Sequence, residues 1–318
     1  MATNVTTNKM HEYGRFDFVK NIGLFGGISL FFVILSLIYL AIHGINYGID
    51  FKGGTEMQVK FAESISIDHV RTVVSKLDLG DVGVQGFGEG NEYIIRFQGK
   101  HGATDKETND LLNVSIERLK TAINTEFAAQ KPDFRRVDTV GPQVGAELKR
   151  NGYLAVFYSL LVILIYIAIR FDYKYSPGAV ICLFHDAVIT LAVFNLVGKE
   201  VNVPIMAAIL TLIGYSLNDT IVVFDRIRET EHQYRDRGMA FIINKAINDM
   251  LRRTLITSGT VFVSALCLYI FAGGVVSDIA FALCVGIFFG TYSSIYVAAP
   301  FILIMEKLNL KSPRVRTA

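Results

Sequence analysis

Six long apolar stretches constrain the fold of this chain more than any other feature of its sequence. A helix needs about 20 predominantly apolar residues to cross the hydrocarbon core of a bilayer. Stretches of roughly that length cover 22–42, 153–169, 178–197, 203–224, 255–271 and 279–304. We therefore predict a membrane α-helical bundle of six transmembrane helices, with 22–43 as the first span and 151–305 as the other five.

The composition argues against several other classes of protein. The net charge is only +2, and no Arg/Lys-rich run is interleaved with aromatic residues, so nucleic acid is not a predicted partner. Cys182, Cys267 and Cys284 lie inside apolar stretches at irregular spacing. Neither a disulfide framework nor a metal site is therefore predicted.

The short loops predict the orientation of the bundle, because Lys and Arg concentrate on the cytoplasmic side. One side holds the head 1–21, the turn with Arg170 and Lys174, the amphipathic segment 226–252 and the basic tail 306–318. The opposite short loops hold almost no basic residue. We therefore predict that both termini are cytoplasmic. The first span is too long for a signal peptide and reads as an uncleaved anchor.

The segment 44–150 is polar and too charged to enter lipid. Its patterns predict strands at 55–61, 82–87, 92–97 and 134–140, and helices at 67–77 and 110–127. The order β-α-β-β-α-β is that of a ferredoxin-like unit. We predict an α+β ferredoxin-like periplasmic domain inserted between the first and second spans. A nucleotide site is not predicted, because the glycine-rich turn 86–90 joins two strands and is not followed by a helix.

The fourth span contains a carboxylate where lipid is expected. A charged side chain at the bilayer centre costs about 2.5 to 3.5 kcal/mol or more, so such residues usually face a bundle interior and mark an ion or substrate path. Thr211, Tyr215, Asn218 and Asp219 recur at helical spacing and share one face. Asp219 is therefore the first candidate for a functional residue.

The fifth span repeats this pattern. Arg253, Thr257, Thr260 and Ser264 recur at helical spacing on one face, and the third span adds His185, Asp186 and Thr190. Asp219 is expected about 8 Å deep from the cytoplasmic end, at 1.5 Å per residue, and Arg253 begins the next span from that end. We predict that the two form an ion pair. A proton competing for the carboxylate would release the arginine.

Simpler interpretations stay open at this point. Asp219 is also compatible with hydrogen bonding to a neighbouring helix, and Arg253 with a cytoplasmic topology anchor. His185 and Asp186 are compatible with a structural or interfacial role. Gly286, Gly290 and Ser294 form a small-xxx-small row that indicates close helix packing.

Four longer motifs carry a family resemblance. They are GIDFKGGT (48–55), TVGPQVGAELKRNG (139–152), LFHDAVIT (183–190) and GYSLNDTIVVFDRIRE (214–229). Together with the layout of one span, an outer domain and five more spans, they resemble the SecF subunits of the bacterial Sec translocase. Those subunits belong to the SecD/SecF family, within the resistance-nodulation-division superfamily. The resemblance covers nearly the whole chain.

The resemblance implies a function in the bacterial inner membrane. SecF-type subunits pair with SecD and act with the SecYEG channel, and YajC and YidC stay open as further partners. They use the proton-motive force to help draw preprotein out on the periplasmic side. The implied partners of this chain are therefore SecD, SecYEG, preprotein and membrane lipid. No cofactor and no enzymatic activity are implied. The implied coupling ion is H⁺, and Na⁺ stays open as an alternative.

The resemblance also assigns roles to individual residues. Asp219 matches the key carboxylate of the family, and Arg253 matches its fifth-span arginine within NDMLRRT, where Asp249 and Met250 depart from the family pattern. The predicted proton relay comprises Asp219, Arg253, Asn218 and Thr257, with Tyr215, Ser216, Asp186 and Thr260 as supporting residues. Two joints are predicted between the outer domain and its spans. The first joint comprises Gly48, Asp50, Gly53 and Gly54, and the second comprises Gly141 and Pro142.

Other functions give different expectations. A non-conducting assembly or scaffold factor would use the polar stripes as packing contacts only. A small-molecule or lipid exporter of the same superfamily would need a larger outer segment with an aromatic-rich cleft. An intramembrane aspartyl protease would need two paired aspartates in a G-x-G-D context, which the sequence lacks.

Overall fold

A computed structural model describes residues 16–87, 90–99, 102, 105–171 and 175–309. The helices, in chain order, are α1 (Ile22–His43), α2 (Ile49–Lys52), α3 (Ile67–Ser75), α4 (Asp105–Glu126), α5 (Pro142–Arg170), α6 (Ser176–Leu196), α7 (Val203–Gln233), α8 (Met239–Phe271), α9 (Gly274–Ser293) and α10 (Ala299–Asn309). The strands are β1 (Gly54–Lys60), β2 (Val82–Phe87), β3 (Glu92–Phe97) and β4 (Asp133–Val140). Lys174, the tail from 310 onward and most of the head lie outside the described residues.

Within the described residues, six helical segments are long and apolar enough to cross a membrane. They are α1, α5, α6, α7, α8 and a final segment in which a π-helical turn, Ser294–Ala298, joins α9 to α10. A small four-stranded sheet lies between the first and the second of them in the chain. The predicted six-helix bundle with an inserted α+β unit is thus confirmed at this level.

The helices of the fourth and fifth spans, α7 and α8, extend beyond the apolar stretches that predict these spans. α7 continues to Gln233 and α8 begins at Met239, so most of the predicted amphipathic segment 226–252 belongs to these two helices. Arg226 on α7 donates to Asp249 on α8 at 2.6 Å, which joins the two extensions. Hydropathy reports where a helix leaves lipid, whereas the helical backbone continues as long as its own hydrogen bonds are made.

The four strands form one antiparallel sheet in the order β2-β3-β1-β4. α3 and α4 bury their apolar faces against it. The shared core contains Met57, Val59, Ile95 and Phe97 from the strands, and Val70, Val74, Leu119 and Ile123 from the helices. Strand alternation leaves the polar side chains of β1 and β3 on the other face of the sheet. That face lines a cleft of about 880 Å³ at the outer end of the bundle.

The two predicted joints contact each other. Pro142 begins α5 after the extended Gly141, a position that suits a residue without an N–H. A Cβ added to Gly53 would lie 3.1 Å from Cα of Pro142, and a Cβ added to Gly145 would lie 3.0 Å from the backbone N of Gly53. The chain therefore enters and leaves the outer domain at one closely packed point.

The first joint is also attached to the loop before α7. The Gly48 N–H donates to the Val201 carbonyl at 2.8 Å, and the Val203 N–H donates to Oδ2 of Asp50 at 3.0 Å. Asp50 thus accepts a hydrogen bond from one of the N–H groups that the start of a helix leaves unpaired. The first joint is therefore bonded to the start of α7 and to the loop before it.

An ion pair and an aromatic contact hold the sheet to the outer end of the bundle. Nε of Arg96 on β3 lies 2.6 Å from Oε2 of Glu56 and 3.4 Å from Oε2 of Glu200, in the loop between α6 and α7. The ring of Phe87 occupies the space next to Gly274, at the turn between α8 and α9. These contacts hold the outer domain against the loops at this end of the bundle.

Glu200 gives this contact a pH dependence. Burial raises the pKa of the Glu200 carboxyl above its ordinary value of 4.5, and Arg96 only partly offsets the shift. The folded state therefore holds this proton more tightly than the unfolded chain, so the contribution of Glu200 to stability is fully present below the ordinary pKa and is lost as pH rises through the raised pKa.

We expect the Tm of the wild type, relative to Glu200→Gln, to fall by a few degrees between about pH 4 and pH 7. Thermal unfolding of the full chain in lipid nanodiscs measures this difference. Glu147→Gln, at an exposed position on α5, is the control for loss of a carboxylate. A wild-type to Glu200→Gln difference that stays constant with pH would contradict the assignment.

Candidate functional site

α7 carries the carboxylate that the sequence places in lipid. Two side chains accept hydrogen bonds from N–H groups at the start of α7. Oδ1 of Asn202 accepts from the Ile205 N–H at 3.0 Å, and Asp50 accepts from the Val203 N–H. Asn at this position is a preferred N-cap. Asp219, sixteen residues into the helix, is only 4% exposed. Its side chain therefore faces the bundle interior, as predicted for a charge that lipid would not solvate.

The hydrogen-bond partner of Asp219 is Ser258 on α8. The Ser258 hydroxyl donates to Oδ2 of Asp219 at 2.7 Å, and Ser258 is also only 4% exposed. Thr254 and Ala265 lie buried on the same face of α8, which packs against its neighbours. Sequence reasoning missed Ser258. The signal was a row of small residues, Thr254, Ser258 and Ala265, at i, i+4 and i+11.

Arg253 does not contact Asp219 in this structure. Its side chain is exposed, and among the described residues no ion pair joins the two. Thr257 and Thr260 are exposed as well, and their hydroxyls donate to backbone carbonyls of α8 itself. The predicted stripe therefore exists as one face of a helix, but it faces away from the interior of this chain.

Asn218 behaves in the same way on α7. It is exposed, as is Thr211 seven residues earlier, while Tyr215 is half-buried. α7 and α8 pack against each other and are joined by the contact between Asp219 and Ser258. Two adjacent helices thus each present an exposed polar row in a segment where lipid is expected.

Asp186 and Ser216, two of the predicted supporting residues, contact each other away from Asp219. Ser216 on α7 and Ser293 on α9 both donate to Oδ2 of Asp186 on α6, Ser293 at 2.9 Å. His185 lies 2.7 Å from the other carboxylate oxygen. Asp186 and Ser216 therefore belong to a second polar cluster, and their hydrogen bonds run to each other and not to Asp219.

The site around Asp219 can hold a proton or a small cation. A carboxylate with one hydroxyl donor has further acceptor capacity, and charge in a low-dielectric interior is strongly disfavoured unless it is compensated. Among the described residues no cluster of three or more His, Cys, Asp or Glu side chains has the geometry of a metal site. The relay roles of Asp219 and Arg253 stay predictions.

Profiles of known families match most of the chain. The family described as protein export membrane protein SecD/SecF, C-terminal, matches residues 119–308. The one described as SecD/SecF GG motif matches residues 38–65, which contain the first joint. Asp219, Ser258 and Arg253 all lie within the first match.

Individual relatives agree over nearly the full length. The chain is 42% identical over 290 residues to the protein translocase subunit SecF of Magnetococcus marinus, covering 91% of this chain and 92% of that one. It is 41% identical over 299 residues to the SecF subunit of Calditerrivibrio nitroreducens, covering 92% and 95%.

Two solved structures are similar in fold. The crystal structure of SecDF, a translocon-associated membrane protein from Thermus thermophilus, matches with a TM-score of 0.80 at 31% identity over 92% of this chain. SecDF in a super-membrane-facing form matches with a TM-score of 0.67 at 31% identity over 93% of this chain. In both cases this chain spans only 39% of the SecDF chain.

Proposed function

The chain belongs to the SecD/SecF family of protein export membrane proteins, and from that premise we propose that it is the SecF-type subunit of a complex that uses the proton-motive force to assist preprotein translocation. In this role it is an ion-driven accessory subunit of the Sec translocase and not an enzyme. The observation that carries the proposal is the buried Asp219, which no Lys or Arg contacts among the described residues.

The exposed polar rows support a partner within the membrane. Lipid solvates an arginine or an amide side chain poorly, so such groups are expected to face protein or water. Asn218 and Arg253 both lie on exposed faces of the isolated chain. A SecD-type half, packed on α7 and α8, would cover them and supply a second carboxylate opposite Arg253. The larger SecDF chains, of which this chain spans 39%, have room for such a half.

The mechanism follows from the charge at Asp219. Proton uptake neutralises the carboxylate, which weakens its hold on any cation and changes its bond with Ser258. In this structure Arg253 is turned away from Asp219, and we assign that arrangement to one of two states. A proton that crosses about 100 mV contributes roughly 2.3 kcal/mol, enough to shift states that differ by a few kcal/mol.

The joints offer a route from this charge to the outer domain. Asp50 accepts from the start of α7, the helix that carries Asp219. A shift of α7 against α8 would therefore move the first joint and the sheet attached to it. The sheet order and the order of elements support a ferredoxin-like outer domain.

The location of each end follows from the same proposal. The Phe18 N–H donates to Oδ1 of Asn244 at 2.7 Å, and Arg170 pairs with Asp225 at 3.0 Å, so Phe18, the end of α5 and the extensions of α7 and α8 lie at one end. That end is the basic one, which supports a cytoplasmic placement in the bacterial inner membrane. The outer domain is then periplasmic, near SecYEG and its associated proteins such as YajC and YidC.

Site-specific cross-linking tests the partner. We expect a photo-reactive residue at Asn218 or Thr257 to capture a second six-span protein in native membranes, because these faces need a protein cover. A photo-reactive residue at Ile169, an apolar side chain that is 82% exposed, is the control and should capture lipid. Mass spectrometry of the adducts identifies the partner. Lipid adducts alone at all three positions would contradict the proposed interface.

A further inference from the structure

The first span buries few of its side chains against the bundle. Ser29 and Ser36 are the buried residues of α1, and the large apolar side chains around them are mostly exposed. Oγ of Ser29 lies 2.6 Å from Nε2 of His185 on α6. A second polar contact runs from the Tyr292 hydroxyl to the Phe25 carbonyl at 2.6 Å. The contact between Ser29 and His185 joins α1 to a buried titratable group.

His185 in turn contacts Asp186. Nδ1 of His185 lies 2.7 Å from Oδ1 of Asp186, and the two residues are 3% and 0% exposed. Oδ2 of Asp186 accepts from Ser216 and Ser293. Since an ionised carboxylate only accepts, the hydrogen on Nδ1 points to Asp186 and leaves Nε2 facing Ser29.

The charge of this cluster requires compensation. An ionised Asp186 with a neutral imidazole carries a net negative charge in a segment surrounded by lipid, which costs several kcal/mol. Hydroxyl donors reduce that cost but carry no net charge. His185 is the group in contact with Asp186 that can supply a positive charge, since no Lys or Arg contacts the cluster among the described residues.

The groups that face the pair from every packed helix agree with this assignment. They are Ser29 from α1, Cys182 from α6, Ser216 and Thr220 from α7, Ser293 from α9, and Tyr296 from the π-helical turn of the last span. The Sγ of Cys182 lies 3.0 Å from Oγ of Ser293, inside the cluster. Asp219, the nearest carboxylate along α7, is directed to Ser258 on α8.

We propose that His185 and Asp186 form a second proton-binding site inside the membrane, in which the imidazole takes up one proton at Nε2, balances the charge of the carboxylate and fastens the first span through Ser29. With the proton bound, Nε2 carries a hydrogen that it donates to Ser29. Without it, Nε2 is bare and Ser29 donates to it. A hydrogen bond from a charged donor is roughly twice as strong as a neutral one.

The bound proton therefore controls how strongly α1 is held against α6. The contact between Ser29 and His185 can change because the packing around it is loose. An apolar cavity of about 340 Å³ adjoins Ser29 and His185, between α1, α6 and the last span. A Cβ on Gly23 or Gly27 would meet no atom within 4 Å. Since α1 leads into the first joint, a change at Ser29 reaches the outer domain by a path separate from Asp219.

The protonation state of Nε2 tests the site directly. Full-length chain with ¹⁵N-labelled histidine is reconstituted in lipid nanodiscs, and solid-state NMR reads both ring nitrogens. His185→Gln identifies the signal among the six histidines. We expect Nε2 of His185 to carry a hydrogen at pH 7.5, as the charge balance with Asp186 requires. A bare Nε2 beside a protonated Nδ1 at that pH would overturn the proposal.

The contact between Ser29 and His185 has its own test, in which the thiol of Cys182 is the reporter. Cys182 is buried in the cluster, whereas Cys267 is exposed, so site-resolved labelling with N-ethylmaleimide reports opening at the first and reagent access at the second. We expect Ser29→Ala to speed labelling of Cys182 about tenfold, as befits loss of a hydrogen bond to a charged group. Ser36→Ala, on the same helix, should leave the rate unchanged. Equal rates in both variants would refute the role of Ser29.

These measurements do not depend on secretion. They use the purified full chain, so the second site stands or falls apart from the proposed coupling at Asp219. A protonated Nε2 together with a silent Asp219→Asn variant would support this site and count against the proposed function.

Discussion

Replacing Asp219 by Asn is expected to abolish the part of preprotein translocation that depends on the proton-motive force. Asn is close to Asp in size, and its Oδ1 can still accept from Ser258, so the bundle should remain folded. It cannot take up a proton, so the charge change that drives the proposed shift is lost. We expect the ionophore-sensitive part of translocation into inverted membrane vesicles to fall by an order of magnitude or more.

The control for this variant lies on the same helix. Asp225 is half-exposed and pairs with Arg170 at 3.0 Å, so Asp225→Asn removes a carboxylate from α7 without touching the interior. Surface ion pairs contribute about 0 to 1 kcal/mol, and translocation should stay near the wild-type level. If Asp219→Asn were silent while the chain still bound its partners, a scaffold role would replace the coupling role.

Replacing Gly54 by Ala is expected to destabilise the outer domain strongly. Gly54 begins β1 with a φ of +128°, a conformation that L side chains rarely adopt. A Cβ there would lie 2.7 Å from the Phe97 carbonyl oxygen, which belongs to the neighbouring strand and cannot move without breaking the sheet. Backbone strain and overpacking together cost roughly 2 to 5 kcal/mol. The Tm of the domain should fall by more than about 10 °C.

A second glycine in the same sheet gives the matched comparison. Gly83 on β2 has no atom within 4 Å of its Cβ position and has an ordinary φ, so Gly83→Ala should change stability by no more than about 0.5 kcal/mol. Thermal unfolding of the full chain, followed by protease resistance of the outer domain, measures both variants. Equal stability of the two would show that the joint tolerates a side chain at Gly54.

The number and order of the spans could be predicted because they depend on local composition. Twenty apolar residues in a row identify a membrane helix whatever surrounds it, and alternation identified the strands that bury Met57 and Ile95. The ends of α7 and α8 could not be predicted in this way. Past Phe224 the chain becomes polar, yet the helix continues because Arg226 and Asp249 join the two extensions.

The candidate site divides in the same manner. The burial of Asp219 was predictable, since lipid excludes a carboxylate and a helix offers one face for it. The partner of that carboxylate was not, because periodicity groups Arg253 with Thr257 on one face without saying which way the face points. In the folded chain the opposite face of α8, with Ser258, is turned inward. The roles of Asp219 and Arg253 stay predictions until coupling is measured.

The sequence by itself determined a six-span membrane protein with an α+β insertion and an acid in its fourth span. Only the tertiary structure decided that Asp219 meets Ser258, that His185 and Asp186 form a separate cluster reaching Ser29, and that Arg253 faces outward. The physical reason is that hydropathy and period are properties of one segment. Hydrogen-bond partners depend on the rotation of each helix about its axis, which is set by all of its neighbours together.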